Sequence, residues 1–132
     1  MRLEIAVVFG RLTKREFGSE IEALVCEYLT QQGCSIIETN FLCKLGEIDI
    51  IASYDKTLIF VEVRYRKKSG FGGAAESVNF KKRQRIINTA QFYLQQNKLT
   101  NKTQGRFDVF CVEGNGQRMQ YNWIKDAFSA EW

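Results

Sequence analysis

The stretch that decides the fold is Leu45–Arg66, LGEIDIIASYDKTLIFVEVRYR. It divides at SYDKT into two arms in which apolar and polar residues alternate, the period of a strand with one buried face. In the first arm Ile48 and Ile50 alternate with Glu47 and Asp49; in the second, Ile59, Val61 and Val63 alternate with Phe60, Glu62 and Arg64. The pattern predicts a hairpin with one greasy face and one charged face. A turn centred on Asp55 and Lys56 sets Asp49 opposite Glu62 and Glu47 opposite Arg64. Two facing carboxylates repel, so the pair needs a compensating partner: a shared proton, a nearby cation or a bound divalent metal.

The rest of the composition narrows the chemistry. A chain of 132 residues suits one domain, so 1–132 is read as a single unit with 1–12 as an unassigned leader. Hydrophobic residues make up 45% and aromatic residues 13%, enough for an ordered core. No apolar run approaches the roughly 18 to 20 residues of a membrane span, and the start makes a poor signal peptide, so no membrane association and a cytoplasmic location are expected. Cys26, Cys34, Cys43 and Cys111 show no CxxC spacing, and there is no histidine to complete a zinc site, so they read as reduced structural thiols. The missing histidine also excludes His-based triads. Carboxylates, Lys, Tyr or a metal remain, and a net charge of +4 leans towards a polyanionic partner.

Outward from the hairpin, Thr13 with Glu16 and Ser19 with Glu22 each offer a helix start. Ile21, Leu24, Val25, Tyr28 and Leu29 then form a helical stripe that Gly33 can end. Glu22 borders that stripe; by position alone it reads as a capping or solvated glutamate. Cys34–Phe41 reads as the first long strand. After the hairpin, RKKSGFGGAAES forms a basic, glycine-rich loop suited to gripping a backbone. A second helix is expected over Asn79–Asn97, with Ile86, Ile87, Ala90, Tyr93 and Leu94 facing inward. Its first turns carry Lys81, Lys82, Arg83 and Arg85, cations that oppose the helix dipole and that a phosphate would meet together with free N–H groups. Gly105–Glu113 and Gln117–Ile124 read as a closing hairpin, with Arg106, Asp108 and Phe110 on one face and Phe107, Val109 and Cys111 on the other. Asp108 can join the acidic site, but a part with Arg106 in ion pairing on the sheet face is the expected role. Trp123–Trp132 is expected to cover the open end of the core, with a short helix as one form.

This order predicts an α/β fold with a mixed central sheet of about five strands flanked by helices. Within it, Asp49 and Glu62 on adjacent strands, with Arg64 two residues further on, can hold Mg²⁺ or Mn²⁺ between them and present a positive charge to a phosphate. That is the logic of metal-assisted phosphodiester hydrolysis.

The runs FGSEIEALVCEYL, GCSIIETNF, GEIDIIA, FVEVRYRKKSGFGGAAESV, KKRQRI and RFDVF, spread over about Gly18–Phe128, resemble the YraN family. These bacterial proteins are assigned to the restriction-endonuclease-like superfamily, with similarity to archaeal Holliday-junction resolvases. The resemblance implies a restriction-endonuclease-like core and a metal-dependent nuclease acting on DNA, including branched or junction DNA. It places Glu22 in the first-helix acid position, Asp49 in the strand acid position and Glu62 in the Glu-x-Lys position, with Glu22 an auxiliary metal ligand. The resolvases act as dimers, which makes a homodimer one expectation. Arg64 departs from the pattern by occupying the place of the lysine. A guanidinium stays protonated, so Arg64 can stabilise charge but cannot act as a base.

Arg66, Lys67, Lys68, Lys81, Lys82 and Arg85 are the expected phosphate contacts. Two competing readings predict different behaviour. A nucleic-acid-binding module of the same fold binds DNA in a salt-sensitive way and cuts nothing. An adaptor whose carboxylates merely satisfy cross-strand arginines binds no metal.

Overall fold

The computed structural model describes residues 2–3, 13–66, 78–114 and 119–130. A mixed sheet is built from β1 (Arg2–Leu3), β2 (Ser35–Cys43), β3 (Gly46–Tyr54), β4 (Thr57–Arg66), β5 (Gln104–Gly114) and β6 (Met119–Phe128). Among the described residues there are two helices, α1 (Lys14–Gln31) and α2 (Phe80–Gln96). The strand order is β1-β6-β5-β4-β3-β2. Among the described residues only the β4/β5 pair is parallel, because α2 lies between those strands in the chain and carries it back across the sheet. Five long strands and two helices match the predicted α/β, restriction-endonuclease-like core. The two-residue β1 adds a strand at the edge; the rest of 1–12, including IAVVF, lies outside the described residues.

The helix ends follow local chemistry. Thr13 is the N-cap of α1, its hydroxyl accepting from the Glu16 N–H at 3.1 Å. Ser19 therefore lies inside the helix, and Glu22 is not a capping residue. Gly33, with φ +97°, follows the C-cap Gln32 and turns the chain into β2. Asn79 caps α2, accepting from the Lys82 N–H at 2.8 Å.

The single greasy face expected of the hairpin is corrected by the structure. Leu58, Ile59, Phe60, Val61 and Glu62 are all buried in sequence, because a central strand covered by helices on both sides has no solvent face. On one side Ile50, Ala52, Ile59, Val61, Phe110 and Val112 pack with Ile21, Val25 and Leu29 of α1. On the other, Ile48, Ile51, Phe60, Phe107, Val109 and Cys111 pack with Ile86, Ile87, Ala90, Tyr93 and Leu94 of α2. Ile48 and Ile50 thus belong to opposite layers.

The C-terminal segment is also corrected. Rather than a helix, Trp123–Phe128 continues β6 on β5, with an irregularity where Asp126 takes φ +52°. Asp108 explains the choice. Fully buried, it is held by Arg106 through two bonds of 2.9 Å, by the Trp123 indole N–H at 2.8 Å and by the Asp126 N–H at 2.9 Å. Ala127, Phe128 and Ala130 still cover the α2 layer, as expected of this segment. The tip of the β5/β6 hairpin, 115–118, and the basic loop, 67–77, lie outside the described residues. All four cysteines are free. Among the described residues no helix is long and apolar enough to cross a membrane.

Candidate active site where the sheet forks

The β3/β4 hairpin takes the predicted register over five pairs, from Tyr54↔Thr57 to Ile50↔Val61. Asp55 and Lys56 both adopt positive φ, 46° and 70°, as the tight turn between twisted strands requires. Beyond Ile50↔Val61 the ladder ends although both strands continue. β3 stays paired with β2 through Phe41↔Ile48, Leu42↔Glu47 and Cys43↔Gly46, while β4 stays paired with β5 from Glu62↔Val109 to Arg66↔Glu113. The sheet forks between them. Asp49 and Glu62, the first residues past the last pair, face each other across the fork.

A fork leaves backbone groups without ladder partners, and Asp49 supplies one: its Oδ2 accepts from the Val63 N–H at 2.8 Å. That bond fixes the Asp49 carboxylate on β4's side of the gap. Glu62 is only 5% exposed. Burial, and then the charge of Asp49, push its carboxyl up to about 8; an Asp49 hydrogen bond acts in the same direction, while Lys82 and Arg64 pull it down. The Lys82 Nζ lies 3.5 Å from Glu62 Oε2 and an Arg64 terminal nitrogen 3.7 Å from the same oxygen.

Glu22 approaches from α1. Its carboxyl is raised above the ordinary range by burial, then by Asp49 and more weakly by Glu47, and a hydrogen bond from Asn40 opposes the rise. Asn40 sits in β2 between the pairs Thr39↔Ile50 and Phe41↔Ile48, next to Asp49 in the register, with φ +53°. A left-handed residue inside a strand is strained, and Asn tolerates it better than most. Glu20 is exposed, so Glu22 is the helix acid that meets the site.

The position of α2 depends on Gly46. A Cβ there would come 2.9 Å from Thr89 Oγ1, which is itself bonded to the Arg85 carbonyl at 2.7 Å. Bare backbone lets the start of β3 press against the helix, and the Asn79 cap then sets the first turn, Lys82 included, over the fork.

The structure therefore gathers Glu22, Asp49, Glu62 and Arg64, as the sequence suggests, and adds Lys82. The sequence reading makes Lys82 one phosphate contact among several, whereas it is an ion-pair partner of Glu62. Lys81 and Arg85 are exposed on α2, Arg66 pairs in register with Glu113 at the end of β4, and Lys67 and Lys68 lie outside the described residues. Sequence reasoning missed Asn40, although an asparagine between Thr39 and Phe41 in a strand was a signal. Among the described residues, no group of three or more His, Cys, Asp or Glu side chains is gathered closely enough to hold a metal ion. The Asp49/Glu62 pair fits a smaller role. Mg²⁺ is commonly held by one or two carboxylates together with water and substrate phosphate. A buried acid whose charge is opposed by a second acid is also the donor chemistry such a cation relieves.

Residues 21–112 match the uncharacterised protein family UPF0102. The chain is similar to a UPF0102 protein of Pseudomonas syringae pv. syringae, 44% identical over 121 residues, 91% of this chain and 98% of that protein. A UPF0102 protein of Vibrio parahaemolyticus is 42% identical over 120 residues, with 91% and 98% covered. One from Alcanivorax borkumensis is 42% identical over 120 residues, with 90% and 96% covered.

Proposed function

The chain belongs to the UPF0102 family, the YraN family of the sequence motifs, and from that premise we propose that it is a metal-dependent endonuclease hydrolysing DNA phosphodiester bonds at the β3/β4 fork. One observation carries the reading: Asp49 and Glu62 converge from parting strands, and Glu62 is buried at 5% exposure against a second acid and two cations. A purely structural ion pair has no need of the opposing acid.

Asp49 and Glu62 would hold Mg²⁺ or Mn²⁺, which when bound lowers the pKa of water and neutralises charge on a phosphate oxygen. The other tasks fall to the chain itself. The Val63 N–H holds Asp49 in place, and Asn40 holds Glu22 beside the pair. Arg64 offers positive charge to the phosphate as negative charge builds on its oxygens. In the hydrolysis a water oxygen forms a new P–O bond, the bond to the leaving sugar oxygen breaks, and the proton given up by water is balanced by one taken up at the leaving oxygen. Exposed Lys81 and Arg85 extend the cationic surface along α2 for the flanking phosphates. The place of action is the cytoplasm.

The test is a cleavage assay on linear, flapped and four-way-junction DNA in Mg²⁺, Mn²⁺ and EDTA. Metal-dependent cutting that disappears in Asp49→Ala and Glu62→Ala supports the site; cutting that persists in both variants refutes it. Arg64 favours a second reading, a binding module without catalysis, because a guanidinium cannot shuttle a proton. That reading predicts salt-sensitive binding to the same DNAs with no cutting in any metal.

A further inference from the structure

α2 opens with four cations in six residues, but the structure gives them different work. Arg83 turns back to donate to the Val78 carbonyl at 2.7 Å and lies over the Phe128 ring at 5.5 Å. Lys81 and Arg85 are exposed. Lys82 forms an ion pair with Glu62 of the fork.

Its placement is poor for stability and good for an anion. Lys82 is the third helical residue, where an acid would complement the dipole, and the first turn of α2 contains no acid. The ammonium brings its positive charge to the Oε2 oxygen of Glu62. At 3.5 Å the contact with Glu62 is longer than the 2.7–2.9 Å of a charge-assisted hydrogen bond. The side chain is 42% exposed, so charge holds the ammonium near the acid while its outer side faces solvent. The main chain beneath it is fixed by the Asn79 cap and by the close packing of Gly46 on Thr89.

Resting on the nuclease reading above, we propose that Lys82 is a catalytic residue of the hydrolysis: its ammonium meets a non-bridging oxygen of the scissile phosphate at the mouth of the Asp49–Glu62 pair. It supplies from α2 the compact cation that β4, carrying Arg64, lacks. Arg64 reaches the same Glu62 oxygen at 3.7 Å from the strand below and assists. A point charge on a flexible stem can follow the phosphate as its geometry changes, whereas a planar guanidinium fits one bidentate arrangement.

The experiment compares wild type, Lys82→Ala, Lys82→Arg and Arg64→Ala. Single-turnover cleavage should fall about 100-fold or more in Lys82→Ala and about 10-fold in Arg64→Ala, within the range for losing one charge-stabilising donor. Lys82→Arg should recover only part of the loss. Urea denaturation should show Lys82→Ala to be folded. A readout independent of turnover uses EDTA and an oligonucleotide in which the cleaved linkage alone is replaced by a neutral methylphosphonate. The change in Kd on neutralising that linkage should differ at least threefold between wild type and Lys82→Ala, because only wild type has an ammonium facing it. Equal cutting by Lys82→Ala and wild type, or an unchanged methylphosphonate effect, overturns the role of Lys82 and leaves the nuclease reading intact. A wild-type protein that cuts none of the DNAs in any metal overturns both.

Discussion

Glu62→Gln in the metal-free protein probes the fork through its stability. Burial and the Asp49 charge raise the Glu62 carboxyl from 4.5 to about 8 in the folded chain. Between those values the folded protein keeps a proton that the unfolded chain has released, so stability falls as pH rises through the window. At about 1.36 kcal/mol per pH unit, the loss by pH 9 is on the order of 3 to 5 kcal/mol, a large share of a small domain's total stability. Glutamine is a permanent copy of the protonated acid, with an N–H to donate to Asp49. In urea denaturation with EDTA, the variant should match wild type within about 1 kcal/mol at pH 4.5. It should be the more stable of the two by several kcal/mol at pH 9. On the proposed metal site, saturating Mn²⁺ at pH 8.5 should return about 2 to 3 kcal/mol to wild type and little to the variant, because the cation would bind the ionised pair. A wild-type stability that stays flat from pH 6 to 9 in EDTA, or a variant that declines in parallel with it, refutes the placement of Glu62 as a buried acid opposed by Asp49.

Asp49→Ala leaves the Val63 N–H without its 2.8 Å acceptor and should cost about 1 to 3 kcal/mol, whereas Asp49→Asn keeps an acceptor, removes the charge and shortens the pH window in the same denaturation series. Gly46→Ala drives a methyl to 2.9 Å from Thr89 Oγ1 at a backbone φ of +152°; it should cost about 1 to 3 kcal/mol, read as a lowered urea midpoint. Asn40→Ala adds left-handed strain of about 1 to 2 kcal/mol that Asn40→Gly avoids. Both variants should raise the Glu22 pKa further in an NMR carboxyl titration, because each removes the hydrogen bond that lowers it. Asp108→Ala strands Arg106 and should cost about 3 to 5 kcal/mol by denaturation, while the Glu62-linked pH window keeps its position.

Features decided by neighbours in the chain were legible in the sequence. Thr13, one of the two starts the sequence offers for α1, and Asn79, where α2 is expected to begin, cap their helices with their own side chains, and the Asp55–Lys56 turn centres the five ladder pairs as expected. The stripe of α1 and the inward face of α2 follow from helical period alone. What was not legible depends on third parties. Alternation in the hairpin suggested one wet face, but the second helix layer buries Phe60 and Ile51 as deeply as Ile59 and Ile50. Turn arithmetic placed Asp49 against Glu62, yet the fork exists because β2 holds one strand and β5 the other, and neither pairing is written in the hairpin. Lys82 stands twenty residues beyond Glu62 and reaches it only because Gly46 lets α2 settle onto β3.

The chain also contains a control for its own site, since Asp108 and Glu62 are both buried acids beside an arginine two residues away. Asp108 is closed: two arginine bonds, an indole N–H and a backbone N–H, at 2.8 to 2.9 Å, satisfy both oxygens, and its partner Arg106 is 27% exposed at the side chain. Such an acid has finished its chemistry and serves to fix the β5/β6 irregularity. Glu62 is the opposite case. Its cations stand off at 3.5 and 3.7 Å, another acid bears on it, and its own carboxyl is driven towards the neutral form. The sequence spends the same residue types on both, Arg-x-Asp on β5 and Glu-x-Arg on β4. The difference lies in the sheet: β5 and β6 remain paired beside Asp108, whereas β3 and β4 part beside Glu62. On the function proposed above, a site where the backbone opens beside an acid that its two cations hold only at 3.5 and 3.7 Å would take a ligand that brings its own cation and its own phosphate.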